Sequence, residues 1–310
     1  MRLVDLHCDT MDLLMGNDKK LYENDLCVDI KKLKKANSLA QTFALFVDTK
    51  DIKNPHDYCI SMYERFLGEL NKNSNDISLA TNYDEIINNN KISALLSIEE
   101  GAVLEGDIKK LEKFYDLGIR FLTLTWNYEN EIGYPNCFEE FKNKGLKRFG
   151  FEVIEKMNDL GMIIDVSHLS DGGFYDVYNN SKKPFIATHS NSRTVTDHSR
   201  NLTDDMIRCL GNSGGITGIN FCNYFLNDRD DSNSTLEDII KHIKHIVNVG
   251  GIEVLSIGTD FDGILSTVEI KDISEMDKLV SSLKKNDFKE SEIEKIFSKN
   301  ALRVIKEVLK

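Results

Sequence analysis

The chain has 310 residues, with 39 Lys+Arg against 51 Asp+Glu and a formal net charge of −12. That balance argues against a nucleic-acid partner, which selects a basic face, and against docking on an anionic membrane. No apolar run approaches the roughly 20 residues that span a bilayer, and residues 1–10 lack the basic start and unbroken apolar stretch of a signal peptide. A cytoplasmic location is therefore expected.

Eight apolar runs of strand length follow one another: 3–6, 42–47, 92–98, 120–125, 162–166, 185–188, 215–221 and 254–258. Most lack a clean two-residue alternation, which suits strands buried on both faces of a parallel sheet. Segments of helical period lie between them. Asn54-Pro55 offers a cap and a first-turn proline before a helix reaching about Leu70. Over 148–160, Phe149, Val153, Ile154, Met157 and Leu160 share one face, and Gly161 is a stop signal. Ser234 with Glu237 reads as a capping box that opens a helix with Ile239, Ile240, Ile243 and Ile246 inward. Ser291 with Glu294 repeats the signal before the last helix. Segments 20–38 and 127–146 read as irregular insertions able to wall a cavity.

Strands alternating with helices predict an α/β fold, a (β/α)8 TIM barrel in one domain spanning 1–310. A doubly wound open sheet is the alternative, but no GxGxxG or GxxxxGK[ST] loop follows any run. The six cysteines, Cys8, Cys27, Cys59, Cys137, Cys209 and Cys222, form no CxxC pair and read as free thiols.

Polar residues gather where the runs end. The first ends in His7-Cys8-Asp9, the third in Glu99-Glu100-Gly101 and the fifth in Asp165-Val166-Ser167-His168. The sixth ends in Thr188-His189-Ser190 and the eighth in Thr259-Asp260-Phe261-Asp262-Gly263. In a parallel barrel these ends share one mouth. There His7, Asp9, Glu99, His168 and His189 would converge as metal ligands. Strand alternation puts His7 and Asp9 on one face and turns Cys8 away. Glu99 has two oxygens and can bridge two metals, and neutral imidazoles without thiolates suit a catalytic zinc pair. An HxD alone is a weak signal. The coincidence of three of the seven histidines with three such ends decides for the metal. His242 and His245, three apart on a helix, read as surface residues.

These segments, in this order, resemble the membrane (renal) dipeptidase family, zinc peptidases of the amidohydrolase superfamily. The likeness runs from Val4-Asp5-Leu6-His7-Cys8-Asp9-Thr10 through Ile98-Glu99-Glu100-Gly101 and Arg120-Phe121-Leu122-Thr123-Leu124-Thr125. It continues through Asp165-Val166-Ser167-His168, Thr188-His189-Ser190 and Arg200-Asn201-Leu202, and Gly258-Thr259-Asp260-Phe261-Asp262-Gly263 and Asn300-Ala301-Leu302-Arg303-Val304 close it. The resemblance implies two zinc ions per chain, one on His7, Asp9 and Glu99 and the other on Glu99, His168 and His189. It implies that Arg200 holds the terminal carboxylate of a dipeptide. It further implies that Asp260 faces the substrate and moves the proton of a metal-bridging hydroxide that attacks the peptide bond. Where mammalian relatives carry a substrate-contacting histidine, this chain has Trp126, then Asn127. These are candidates for an apolar wall and a polar contact. The partners so implied are small dipeptides, with a homodimer consistent with the family. A related metal amidohydrolase acting on N-acyl amino acids or lactams, a catalytically silent binding barrel, and a phosphoesterase on a metal-binding barrel are the competing readings.

Overall fold

The structure is a computed structural model that describes residues 1–310. Eight strands form the barrel: β1 (Leu3–Asp5), β2 (Ser38–Phe46), β3 (Ile92–Glu99), β4 (Phe121–Thr123), β5 (Ile163–Asp165), β6 (Ile186–Ala187), β7 (Ile216–Ile219) and β8 (Leu255–Ile257). Each pairs in parallel with its neighbours in chain order, and β8 returns to β1 through Asp5 and Ile257. The ring is closed, which removes the open sheet from consideration. The longest ladder joins β2 to β3 over seven residue pairs, from Ala40 with Ser93 to Phe46 with Glu99, and so fixes the height of Glu99 at the mouth.

The strand faces divide the interior. Leu95, Phe121 and Ile163 share their faces with Glu99, Thr123 and Asp165, two or four residues further on. The apolar members pack with Ile186, Ile216 and the buried side of the C-terminal helix Asn300–Val308. The polar members form the layer above. A larger apolar shell lies between strands and surrounding helices, among them Pro55–Lys72, Arg148–Leu160 and Leu236–Gly250. No helix is long and apolar enough to cross a membrane, and all six cysteines are free thiols.

Some elements differ from the sequence reading. β2 begins at Ser38 rather than 42, because Ser38 and Gln41 are buried polar residues that mask its apolar pattern. Gln41 donates to the buried Asp5 carboxylate at 2.9 Å. Segment 20–38 includes a helix, Ile30–Lys35, and supplies no wall of the central cavity. The capping box at the start of Leu236–Gly250 is formed by Thr235 and Asp238, one residue later than Ser234 and Glu237. Ser291 lies within a helix that starts at Glu290, whose first turn is closed by Glu292 accepting from the Lys289 amide at 2.7 Å. A short strand, Ile77–Leu79, pairs with β3 outside the ring. His242 is fully buried, so its surface reading was wrong. Its Nδ1 accepts from the Ser192 amide at 3.1 Å, and its Nε2 lies 3.1 Å from the Leu226 carbonyl.

Candidate metal centre

The mouth of the barrel brings His7, Asp9, Glu99, His168, His189 and Asp260 together. Nε2 of His7 lies 3.2 Å from an oxygen of Asp9, 3.2 Å from Oε2 of Glu99 and 3.9 Å from Oδ1 of Asp260. The other Glu99 oxygen, Oε1, lies 3.0 Å from Nε2 of His168 and 3.6 Å from Nε2 of His189. Those two nitrogens are 3.1 Å apart. Each carboxylate oxygen of Glu99 thus serves a different histidine group. All six residues are buried.

Whether these residues suit a metal is decided by their unpaired atoms. Nε2 of His7 faces two carboxylates at 3.2 Å yet makes a hydrogen bond with neither, and Oδ1 of Asp9 is also unpartnered. Buried polar atoms are rarely left in this state. Atoms that converge without pairing fit a cation between them. His7, Glu99 and His189 bring ligand atoms within 4.8 Å of one another, as do His7, Asp9 and Asp260.

The electrostatics point the same way. Burial pushes the Asp9 carboxyl up to about 6 and Asp260 up to about 8, and neighbouring carboxylates add to both shifts. Burial opposes a charge on His7, but Glu99 and Asp9 outweigh it and hold its pKa well above the usual histidine value. His168 and His189 are held well below that value, first by burial and then by the positive charge of Arg200 and His7. They are neutral imidazoles, the form that binds metal. The carboxylates that burial and mutual repulsion push up are groups whose charged form a divalent cation would stabilise.

The backbone of this mouth is shaped for close approach. Glu100, Asp260 and Asp262 all have positive φ, at 110°, 61° and 71°, where non-glycine residues are uncommon. Glu100 is buried and accepts from Ala102 and Trp126 amides and from the Asn130 side chain, which ties the β3 end to the loop after β4. Asp262 accepts from Thr10 and from the Cys27 amide at 2.6 and 2.7 Å, and so anchors segment 20–38. Gly263 lies against the centre itself: a Cβ there would stand 2.2 Å from Oδ2 of Asp9 and 2.8 Å from Oδ1 of Asp260.

A cavity of about 360 Å³ opens over the cluster. Trp126, Asn127 and Arg200 line it together with Asp9, Glu99, His168 and Asp260. Trp126 packs edge-on against Phe46, ring centres 4.7 Å apart, and makes an apolar wall. Oδ1 of Asn127 sits 3.2 Å from Nδ1 of His168. Arg200 is buried and has no ion-pair partner. Its guanidinium bonds to the Ser167 and His189 carbonyls and the Ser190 hydroxyl, while Nε is unpaired.

The sequence reading passed over the groups behind this centre. Asp5 accepts from Gln41 and from both the amide and hydroxyl of Thr259, joining β1 to β8. Asp5 shares the face of His7, which is the signal that could have found it. Asn220 donates to Oδ2 of Asp260 at 2.8 Å. It lies just beyond β7, whose end carries no carboxylate or histidine, so nothing marked it.

The model of the membrane dipeptidase family, peptidase family M19, matches residues 1–310. An uncharacterized protein encoded in the pqqA 5′ region of Klebsiella pneumoniae is 34% identical over 70% of this chain and 83% of its own length. An uncharacterized dipeptidase of Schizosaccharomyces pombe is 30% identical over 98% of this chain and 80% of its own. The fold is shared with a metallopeptidase from Rhodobacter sphaeroides solved with a phosphinate mimic of the dipeptide L-Ala-D-Ala. That structure has a TM-score of 0.92 at 22% identity and covers 99% of both chains. The chain belongs to the membrane dipeptidase family of metallo-dipeptidases.

Proposed function

We propose that this chain is a zinc dipeptidase for dipeptides with a free C-terminal carboxylate. His7, Asp9 and Glu99 would hold one zinc ion and Glu99, His168 and His189 the other. The observation that carries the reading is the split of Glu99, one oxygen toward His7 and the other toward His168 and His189. A zinc pair, when bound, supplies a polarising charge for the peptide carbonyl and acidifies an attacking water. An N- and O-ligand set without thiolate is the type found at catalytic zinc.

The remaining steps belong to the protein. Asp260 stands over the cluster with its Oδ2 held by Asn220, which positions it to accept and return a proton. It would take the proton of the attacking water and deliver it to the leaving nitrogen. Arg200 borders the cavity as a buried cation without an anion, and a substrate carboxylate would complete it. Trp126 and Phe46 would wall off water on the apolar side. The bounded cavity would admit two residues more readily than a longer chain.

The test is a substrate panel on the zinc-loaded protein: dipeptides including L-Ala-D-Ala, their C-terminal amides, and N-acyl amino acids. The reading expects free dipeptides to be cleaved and their amides to be poor substrates. Preferential cleavage of N-acyl amino acids would replace it with a related amidohydrolase. For Arg200→Ala, the Michaelis constant should rise more for free dipeptides than for amides, and an equal rise would remove the clamp.

A further inference from the structure

His168 and His189 both turn Nε2 toward Glu99, but they are held from behind by different groups. Nδ1 of His168 meets the side-chain oxygen of Asn127. Nδ1 of His189 lies 2.7 Å from the hydroxyl of Thr188, and that hydroxyl lies 2.6 Å from Oδ2 of Asp165. Asp165 is fully buried. It also receives the Thr123 hydroxyl at 2.6 Å, the Ser167 amide and hydroxyl at 3.0 and 2.6 Å, and the Thr188 amide at 2.8 Å.

The direction of the protons follows from this surrounding. Asp165 stands among five donor contacts and acts as an acceptor in each. Thr188 has one hydroxyl proton, and it points to Asp165. The Thr188 oxygen then has only lone pairs left for His189, so Nδ1 must carry the ring proton. A neutral imidazole with Nδ1–H keeps its lone pair on Nε2, the atom that faces Glu99.

We infer that Asp165 is a positioning residue which, through Thr188, fixes the tautomer of His189 and keeps Nε2 open for a metal. This rests on the metal role proposed for His189. Asp165→Asn is the informative substitution. The backbone amides of Ser167 and Thr188 both point at Oδ1, so an asparagine would keep its oxygen there and place its NH2 at the position of Oδ2. The NH2 would donate to Thr188, the Thr188 hydroxyl would donate to Nδ1 of His189, and the ring proton would move to Nε2. The shape would be preserved and the ligand atom closed.

The experiment reads the ring nitrogens of His189 by ¹⁵N NMR in metal-free protein labelled at histidine, assigned with His189→Asn. It also measures zinc affinity by competition with a chromophoric chelator. The wild type should show Nδ1–H, and Asp165→Asn should show Nε2–H with zinc affinity lower by about 10- to 100-fold. Thr188→Val should lose affinity similarly, while Thr188→Ser, which keeps the hydroxyl, should restore it. This pair carries the test if Asp165→Asn does not fold. Nε2–H in the wild type, or a folded Asp165→Asn with unchanged tautomer and affinity, would overturn the inference. Because the tautomer is read without metal, a failure of zinc to bind the wild type would count against the zinc reading and leave the tautomer result standing by itself.

Discussion

Nε2 of His168 and Nε2 of His189 face each other at 3.1 Å, with one oxygen of Glu99 beside both. Two nitrogen lone pairs at that distance repel unless a cation or a proton lies between them. Burial and nearby positive charge hold both rings neutral. Metal bound at this cluster should therefore stabilise the fold. At a free zinc concentration one hundred times the dissociation constant, a single site adds about 2.7 kcal/mol. The melting temperature should rise on zinc addition and fall with chelator. An unchanged melting temperature across that range would argue against metal at this cluster.

Gly263→Ala should damage the centre without unfolding the barrel. The new methyl would stand 2.2 Å from Oδ2 of Asp9, so the carboxylate must move. Displacing a ligand that far should cost about 10- to 100-fold in metal affinity. Metal titration against thermal melting of the metal-free protein separates the two effects: affinity should drop while the metal-free melting point changes little.

Asp260→Asn should leave the chain folded. Asp260 has φ of 61°, a conformation that asparagine tolerates as well as aspartate. The amide removes the proton carrier, so turnover should fall by about 10²- to 10⁴-fold while zinc content is retained. Steady-state kinetics with metal analysis on the same sample checks both halves. Retained turnover would assign the proton to another group.

His242 makes acid stability a readable property. Its pKa is lowered to about 4 by burial, and Nδ1 already accepts from the Ser192 amide, so a second ring proton has no acceptor. A histidine with a depressed folded pKa binds its proton first in the unfolded chain. Stability is therefore complete above the ordinary pKa of about 6.5 and is lost as pH falls toward 4. The loss should reach about 3 kcal/mol. Gln at this position can accept from Ser192 and donate to Leu226 without titrating. Denaturant unfolding in chelator should show the wild type losing its advantage over His242→Gln between pH 6.5 and 4. A constant difference would contradict the burial argument.

The barrel was legible because its eight strands each leave a short apolar run, and their order alone implies a parallel ring. The candidate ligands were legible because strand alternation couples His7 to Asp9 and because His168 and His189 follow such runs directly. What lay hidden was polar and buried. Ser38 and Gln41 concealed the first half of β2, since a barrel interior accepts polar residues that bond across strands. Asp5, Asp165 and Thr188 stood in view beside the candidate ligands, but their partners across the barrel did not: Asp5 holds Thr259, and Asp165 holds Thr188. His242 was read as a surface residue because its partners, Ser192 from a loop and Leu226 from the short helix Asn223–Leu226, are brought to it only by the fold.

In the proposed function a zinc pair at the β1, β3, β5 and β6 ends would perform dipeptide hydrolysis. The most direct measurement follows cleavage of a free dipeptide as zinc is titrated into metal-free protein, with bound zinc counted in the same samples. Activity should be absent without metal and should rise to a plateau at about two equivalents per chain, as a two-metal site requires. Full activity in the metal-free protein, or two bound zinc ions per chain with no dipeptide cleaved, would contradict this proposal.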